Sequence, residues 1–268
     1  MKHMPNKNEQ THILITGASR GLGAALALAY AKHYSEQANE TLHLSLLATT
    51  TDNLNAIKQQ CTPYCDQIDC YGVDLNDPSA SIAPIQAIAE QPVDIAILNA
   101  GVTNDSKNNQ ETWQQQHAII NTNLLAAMAC THALIPSMQA RQSGRIVLVS
   151  SIAAFKGLGL TPSYCASKAG IKAYADSIRG GLADQGVTVH CVMPGFIATD
   201  MTAAYSGATP FMISSERAAM IVIKGLQKNR LIIIFPRLIS WGMRLLNILP
   251  VRWSDAILKY AGYGSPTQ

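Results

Sequence analysis

The chain has 268 residues, 48% of them hydrophobic and 14% charged, with a formal net charge of +3. That composition excludes a disordered chain, and the length suits one large α/β domain better than two small ones. The charge is uneven, because from Lys224 onward seven basic residues stand against Asp255 alone, so the C-terminal segment is the basic part.

The opening "MKHMPNKNEQTH" is polar and lacks the apolar core of a secretory signal. "HILITG" (12–17) reads as a buried strand and is followed by a helix from near Arg20 through "GLGAALALAYAKHY". "LHLSLLA" (42–48) is a second strand, "DNLNAIKQQC" a helix, "IDCYGVDL" (68–75) a third strand and "SASIAPIQAIAE" a helix. "VDIAILNAG" (93–101) is a fourth strand, residues 112–138 a long helix, and "GRIVLVSS" (144–151) a fifth strand. "SYCASKAGIKAYADSIRGGLA" is helical and "VTVHCVMPG" (187–195) a sixth strand. Near-continuous apolar strands alternating with helices predict a parallel, doubly wound sheet of Rossmann type in three αβα layers. The expected domain is single, its core spanning about 11–232, with 233–268 as a basic and apolar extension.

No run of eighteen uninterrupted apolar residues occurs, so a spanning helix is not expected. The six cysteines include Cys61, Cys65 and Cys70 in "CTPYCDQIDC", whose gaps do not match paired C-x-x-C ligands. They read as free thiols, no metal is expected, and with the missing signal they suggest a cytoplasmic protein.

"TGASRGLG" (16–23) closes the first strand and opens the first helix. Gly17, Gly21 and Gly23 let the backbone turn tightly and approach a pyrophosphate, which the helix N-terminus attracts. The same topology gathers ligands at the carboxyl ends of the strands. Those ends carry Asp74, then "NAG" (Asn99, Ala100, Gly101), Ser150 with Ser151, and "PGFIATD" (194–200), while Asn123 sits inside the long helix. Each has a plain structural reading as well: Asn99 as a turn residue, Ser151 as a cap, Asn123 as a kink. In "SYCASKAG", Tyr164 and Lys168 stand four apart on one helical face.

The set T-G-x-x-x-G-x-G, N-A-G, a serine thirteen residues before the tyrosine, Y-x-x-x-K and a P-G loop resembles the short-chain dehydrogenase/reductase family over residues 11–232. The resemblance implies a nicotinamide-dependent oxidoreductase acting on a carbonyl or alcohol, with Asn123, Ser151, Tyr164 and Lys168 as its tetrad. Tyr164 would act as general acid or base, its phenolate favoured by the Lys168 charge and by oxidised nicotinamide. Lys168 would also hold the nicotinamide ribose, Ser151 the substrate oxygen, and Asn123 a water. The implied cofactor residues are Gly17, Ser19, Arg20, Gly21, Leu22 and Gly23 in the turn, Asp74 and Leu75 flanking the adenine, and Asn99, Ala100 and Gly101. Pro194, Gly195, Ile197 and Thr199 complete them, Thr199 meeting the carboxamide. Two departures are minor: Leu98 replaces the asparagine often found before N-A-G, and the tail exceeds the minimal domain.

NAD-specific sheets of this kind carry an acid at the end of strand two. Here that end reads "LLATTTDN", and Arg20 with Thr49 is placed to take a 2′-phosphate, which favours NADP(H). NAD(H) is the alternative, since a two-residue shift would bring Asp52 to the position.

The family's substrate lid would be "DMTAAYSGATPFMISS", where Tyr205, Phe211 and Met212 suit an apolar substrate. In the tail, Pro236 and Pro250 bracket a short helix, and Arg237, Arg244, Arg252 and Lys259 recur about every two turns beside Trp241 and Trp253. Peripheral membrane contact through 236–260 is one reading and packing against protein the other. Similar proteins are dimers or tetramers, so a homo-oligomer is expected. The rival functions are a catalytically silent cofactor-binding sensor or scaffold and a membrane-surface keto-lipid reductase. Nucleic acid is not an expected partner, because the basic residues sit among apolar ones.

Overall fold

The computed structural model describes residues 10–37, 40–104 and 111–263. The polar opening segment therefore lies almost wholly outside the described residues. The apolar runs form strands β1 (Gln10–Thr16), β2 (Thr41–Ala48), β3 (Gln67–Gly72), β4 (Ile95–Leu98), β5 (Gly144–Val149), β6 (Val187–Pro194) and β7 (Ile232–Phe235). They make one parallel sheet in the order β3-β2-β1-β4-β5-β6-β7. β7 corrects the expected six strands. Its four residues, "IIIF", are too short to show a period, and only pairing with β6 (Cys191 opposite Ile232) reveals them as strand.

The helices are α1 (Gly21–Ser35), α2 (Asn55–Cys61), α3 (Pro78–Ile88), α4 (Trp113–Ile120), α5 (Ala126–Ala140), α6 (Pro162–Ala183), α7 (Asp200–Ala203), α8 (Ser215–Gln227), α9 (Arg237–Ile248) and α10 (Val251–Tyr260). Alternate strand side chains feed opposite layers, as a pleated sheet requires. Ile13 and Ile15 pack with Leu26 of α1 and Val222 of α8. Leu14 turns to the other face, toward Ile85 of α3, Leu134 of α5 and Ile171 of α6.

Helix starts follow local chemistry. Asp77 accepts from the Ser79 and Ala80 amides at 3.1 and 3.2 Å, with Pro78 at the first position of α3. Thr112 and Gln115 cap each other's backbone at the start of α4. The expected single helix over 112–138 is instead α4 and α5 joined by a π-helical turn at Asn121–Leu125. Together, Trp113–Ala140 is long and apolar enough to cross a bilayer, but Cys130, Leu134 and Met138 bury it against the sheet.

The amino-terminal half of the sheet holds a buried polar cluster. The His12 and His43 rings stack at 3.9 Å, His12 Nε2 lies 2.7 Å from Ser45 Oγ, and His43 Nε2 lies 2.8 Å from Asp69 Oδ2. Burial, followed by the neighbouring His43, lowers the His12 pKa from 6.5 to about 4. The fold therefore prefers neutral His12, and the unfolded chain binds its proton first. Stability from this group is complete above pH 6.5 and is lost as pH falls toward 4, by on the order of 3 kcal/mol in the limit. Thermal unfolding of wild type and His12→Gln across that window should show a steeper loss for wild type, and parallel curves would reject this assignment.

Candidate active site

Parallel strands deliver their following loops to one edge, and the reversal of strand order between β1 and β4 opens a crevice there. A cleft of about 540 Å³ occupies it. Gly17, Ser19, Arg20, Gly21, Leu22, Thr49, Asp74 and Leu75 border the cleft, as do Asn99, Ala100, Gly101, Ser151, Tyr164 and Lys168. Pro194, Gly195, Ile197 and Thr199 also reach its wall. Of the expected site residues, Gly23 and Asn123 do not.

The glycine turn is shaped by its own packing. Gly17 and Gly21 have φ of +65° and +58°, the left-handed region that favours glycine. A Cβ at Gly17 would stand 2.8 Å from Ala100 Cα, and one at Gly23 would stand 2.1 Å from the Gly17 carbonyl. Gly23 thus lets α1 close onto the turn instead of touching the cleft. No side chain caps the start of α1 among the described residues, and its first turn carries no acid. That leaves the positive end of the helix turned toward an anion.

Opposite, Asn99 is more than a turn residue. Its Nδ2 donates to the Thr16 and Gly17 carbonyls, each at 3.2 Å. Thr16 Oγ1 accepts from the Asn99 and Ala100 amides at 3.0 and 3.1 Å. Together they lock β1 to β4 at the mouth of the crevice. Thr16 was not singled out in the sequence, where its threonine reads simply as the end of a strand.

At the end of β2, Ala48 and Thr49 border the cleft. Asp52 opens a separate 3-10 turn (Asp52–Leu54) and is not on the cleft wall. Arg20 and Asp200 form an exposed pair at 3.3 Å, joining the glycine turn to α7 across the cleft. A pair so open to water contributes little stability by itself. Thr199 caps α7 by accepting from the Thr202 amide at 3.4 Å.

Tyr164 stands near the start of α6 and Lys168 one turn on, the Lys168 Nζ 5.6 Å from the phenol ring centre. The ammonium is buried and donates to the Val149 carbonyl at 3.0 Å, while Ser150 Oγ donates to the Lys168 carbonyl at 2.7 Å. Burial pushes the Tyr164 phenol up to about 12, and the facing Ser151 hydroxyl pulls part of the way back. Burial lowers the Lys168 ammonium to about 8. In the protein alone, desolvation is the largest influence on the phenol and favours its protonated form.

The Asn123 carboxamide is tied to its surroundings at both of its ends. Asn123 Nδ2 donates to the Val102 carbonyl at 2.9 Å and to Ser167 Oγ at 3.0 Å, and its Oδ1 accepts from the Val102 amide at 2.7 Å. Both amide hydrogens are therefore engaged, and the side chain is a strut between the β4 loop and α6. In the lid, Tyr205 reaches the cleft, but Phe211 and Met212 are 60% and 51% exposed and do not. Ile239 and Met243 of α9 and Tyr263 also line the cleft, and sequence spacing did not connect them to it. Ser151 borders the cleft, and its hydroxyl accepts from the Ala153 amide at 3.1 Å as a cap.

A family model of short chain dehydrogenases matches residues 11–209. The chain belongs to that family. It is, accordingly, an NAD(P)-dependent oxidoreductase. An "uncharacterized oxidoreductase" of Myxococcus xanthus (strain DK1622) is 29% identical over 91% of this chain and 94% of its own. The ketoacyl reductase HetN of Nostoc sp. (strain PCC 7120 / SAG 25.82 / UTEX 2576) is 35% identical over 81% of this chain and 75% of its own. A short-chain dehydrogenase from Sphingobium yanoikuyae, solved in complex with NADPH, superposes with a TM-score of 0.75 at 21% identity, covering 90% of this chain and 96% of that one. At that identity the superposition speaks for the fold.

Lys168 offers a direct check on the electrostatics of this short-chain dehydrogenase. Its side-chain NMR signal in the free protein should titrate near pH 8, well below the ordinary lysine value of about 10.4. A midpoint at the ordinary value would mean that water reaches the ammonium.

Proposed function

We propose that the protein is an NADPH-dependent reductase of apolar ketones or aldehydes in which Tyr164 gives the proton to the carbonyl oxygen. The observation that carries this reading is the pairing of the Tyr164 phenol with the buried Lys168 ammonium, 5.6 Å from its ring centre, beside Ser151 in a cleft entered by an uncapped helix start. When bound, the nicotinamide supplies the hydride. Ser151 orients the carbonyl by hydrogen bonding to its oxygen. Tyr164 transfers its proton as that oxygen gains charge, and the Lys168 ammonium stabilises the phenolate left behind. Asn123 keeps α6 in register with the β4 loop, so that the phenol stays aimed.

For the cofactor, Gly17, Ser19, Gly21 and Leu22 are the turn residues that would surround the pyrophosphate. Asp74 and Leu75 would flank the adenine, and Lys168 would take the ribose hydroxyls. Asn99, Ala100, Gly101, Pro194, Gly195, Ile197 and Thr199 would line the remaining length. Ala48 and Thr49 border the cleft at the end of β2, where an NAD-specific sheet would carry an acid, and Arg20 borders it from the glycine turn, which supports the 2′-phosphate form. The Sphingobium yanoikuyae structure in complex with NADPH and the ketoacyl reductase name of the Nostoc relative agree with it in kind. Leu158, Ile239, Met243 and Tyr263 make the substrate side apolar. A silent sensor would have no need of a buried Lys168 beside the half-buried Tyr164, since burying an ammonium costs stability.

Tyr164→Phe should lower ketone reduction by about a hundredfold to ten-thousandfold while NADPH affinity stays within a factor of about two. Wild-type-like turnover in that variant would sink the assignment. Arg20→Ala should weaken NADPH about tenfold or more in a fluorescence titration and leave NADH unchanged. An equal loss for both cofactors would place Arg20 on a part of the molecule that they share.

A further inference from the structure

The α9–α10 hairpin has two apolar faces, and the domain covers one of them. Inward, Met243 and Leu258 are buried, with Ile239 and Leu246 packed beside them against Ala153, Leu158 and Cys165. The seat is fixed by polar contacts as well. Lys156 Nζ donates to the buried Ser254 Oγ at 2.9 Å and pairs with Asp255 at 3.4 Å, while the Arg244 guanidinium lies 4.7 Å from the centre of the Phe155 ring.

Outward, Leu238, Trp241, Leu245 and Ile248 are 71%, 67%, 59% and 80% exposed. Their spacing of three, four and three residues makes them one stripe of α9. Trp253, Ile257 and Tyr260 continue it along α10, also exposed. Single exposed apolar residues need no explanation, but a continuous stripe over two helices does. Arg237, Arg252 and Lys259 are exposed on the same hairpin, and Arg244 flanks Trp241 at 5.7 Å. Among the described residues of the hairpin, Asp255 is the acid, and it is already paired with Lys156.

We propose that this outer face lies in the headgroup region of an anionic lipid bilayer. Helices of 12 and 10 residues cannot span one, which takes about 20, but they can lie in its surface with tryptophans at the headgroups and cations toward anionic lipid. A second copy of this chain fits less well. A two-fold interface repeats one patch against itself, so it would set these cations against each other with no free acid in the hairpin to meet them. The hairpin that meets the bilayer also supplies Ile239 and Met243 to the cleft, which places a lipid-borne carbonyl beside the substrate side. That last step rests on the proposed reductase activity, and the docking does not.

Deleting the hairpin would strip the cleft wall, so the test uses Trp241→Ser together with Trp253→Ser, neither of which lines the cleft. Co-sedimentation is measured with vesicles of phosphatidylcholine containing phosphatidylglycerol, and with phosphatidylcholine alone, at low and high salt. Wild type should pellet with the anionic vesicles at least about tenfold better than with neutral ones, lose that preference in high salt, and release in the double variant. The variant should keep its melting temperature and its NADPH affinity. No binding by wild type would overturn the proposal. So would binding that the double variant retains, or a dimer in sedimentation velocity that the variant breaks while vesicles are ignored. Vesicle binding without turnover of any membrane-borne ketone would keep the docking and remove the proposed reaction.

Discussion

The register of β1 against β4 is the constraint on which the rest of the site depends. Where strand order reverses, two neighbouring loops part, and the width of the gap is set by whatever ties the strand ends together. Here the tie is the Thr16 hydroxyl, which accepts from the Asn99 and Ala100 amides, and the Asn99 carboxamide, which donates to the Thr16 and Gly17 carbonyls. Gly17 then approaches Ala100 so closely that no side chain fits between them. The glycine turn, the helix start behind it and the N-A-G loop are held as one rigid unit, and the cleft inherits its shape from that unit.

Burial sets the chemistry at the other end of the cleft. An ammonium and a phenol removed from water are each driven toward the neutral form, and that drive lowers Lys168 while raising Tyr164. The two groups, nearly equal in proton affinity in water, are thereby driven apart, the phenol holding its proton more tightly and the ammonium less. The bias of the phenol toward its protonated form follows from the same desolvation that makes the pair costly to bury. Ser150, Ser167 and Asn123 carry that cost structurally, by pinning α6 where it passes β5 and the β4 loop.

The C-terminal hairpin shows how one segment can serve two surroundings. Its inner face completes the apolar wall beyond Tyr164 and packs on the loop that carries Ser151. Its outer face, rich in tryptophan, leucine and arginine, is left to the environment. The contact between hairpin and loop passes through Phe155, Lys156 and Gly159, whose amide donates to the Tyr263 carbonyl at 3.1 Å. Whatever meets the outer face is therefore separated from the cleft by the thickness of the helix that carries Ile239 and Met243.

The sequence by itself determined the alternation of strands and helices, the parallel sheet, the glycine turn and the Tyr164 and Lys168 pair. All of these are written in local periodicity or in short spacings along one chain. It did not reveal β7, whose four residues become a strand only by pairing with β6. It could not separate Gly23 and Asn123 from the cleft wall, because support and lining use the same residue types and differ only in what stands beside them. It also overstated Phe211 and Met212, since an apolar residue in a lid carries no mark of the direction it faces. The direction of the Tyr164 shift, the Thr16 clamp and the place of Ile239 and Met243 in the cleft were decided by tertiary structure alone. Each depends on groups far apart in the chain, and burial and distance between such groups exist only once the chain has folded.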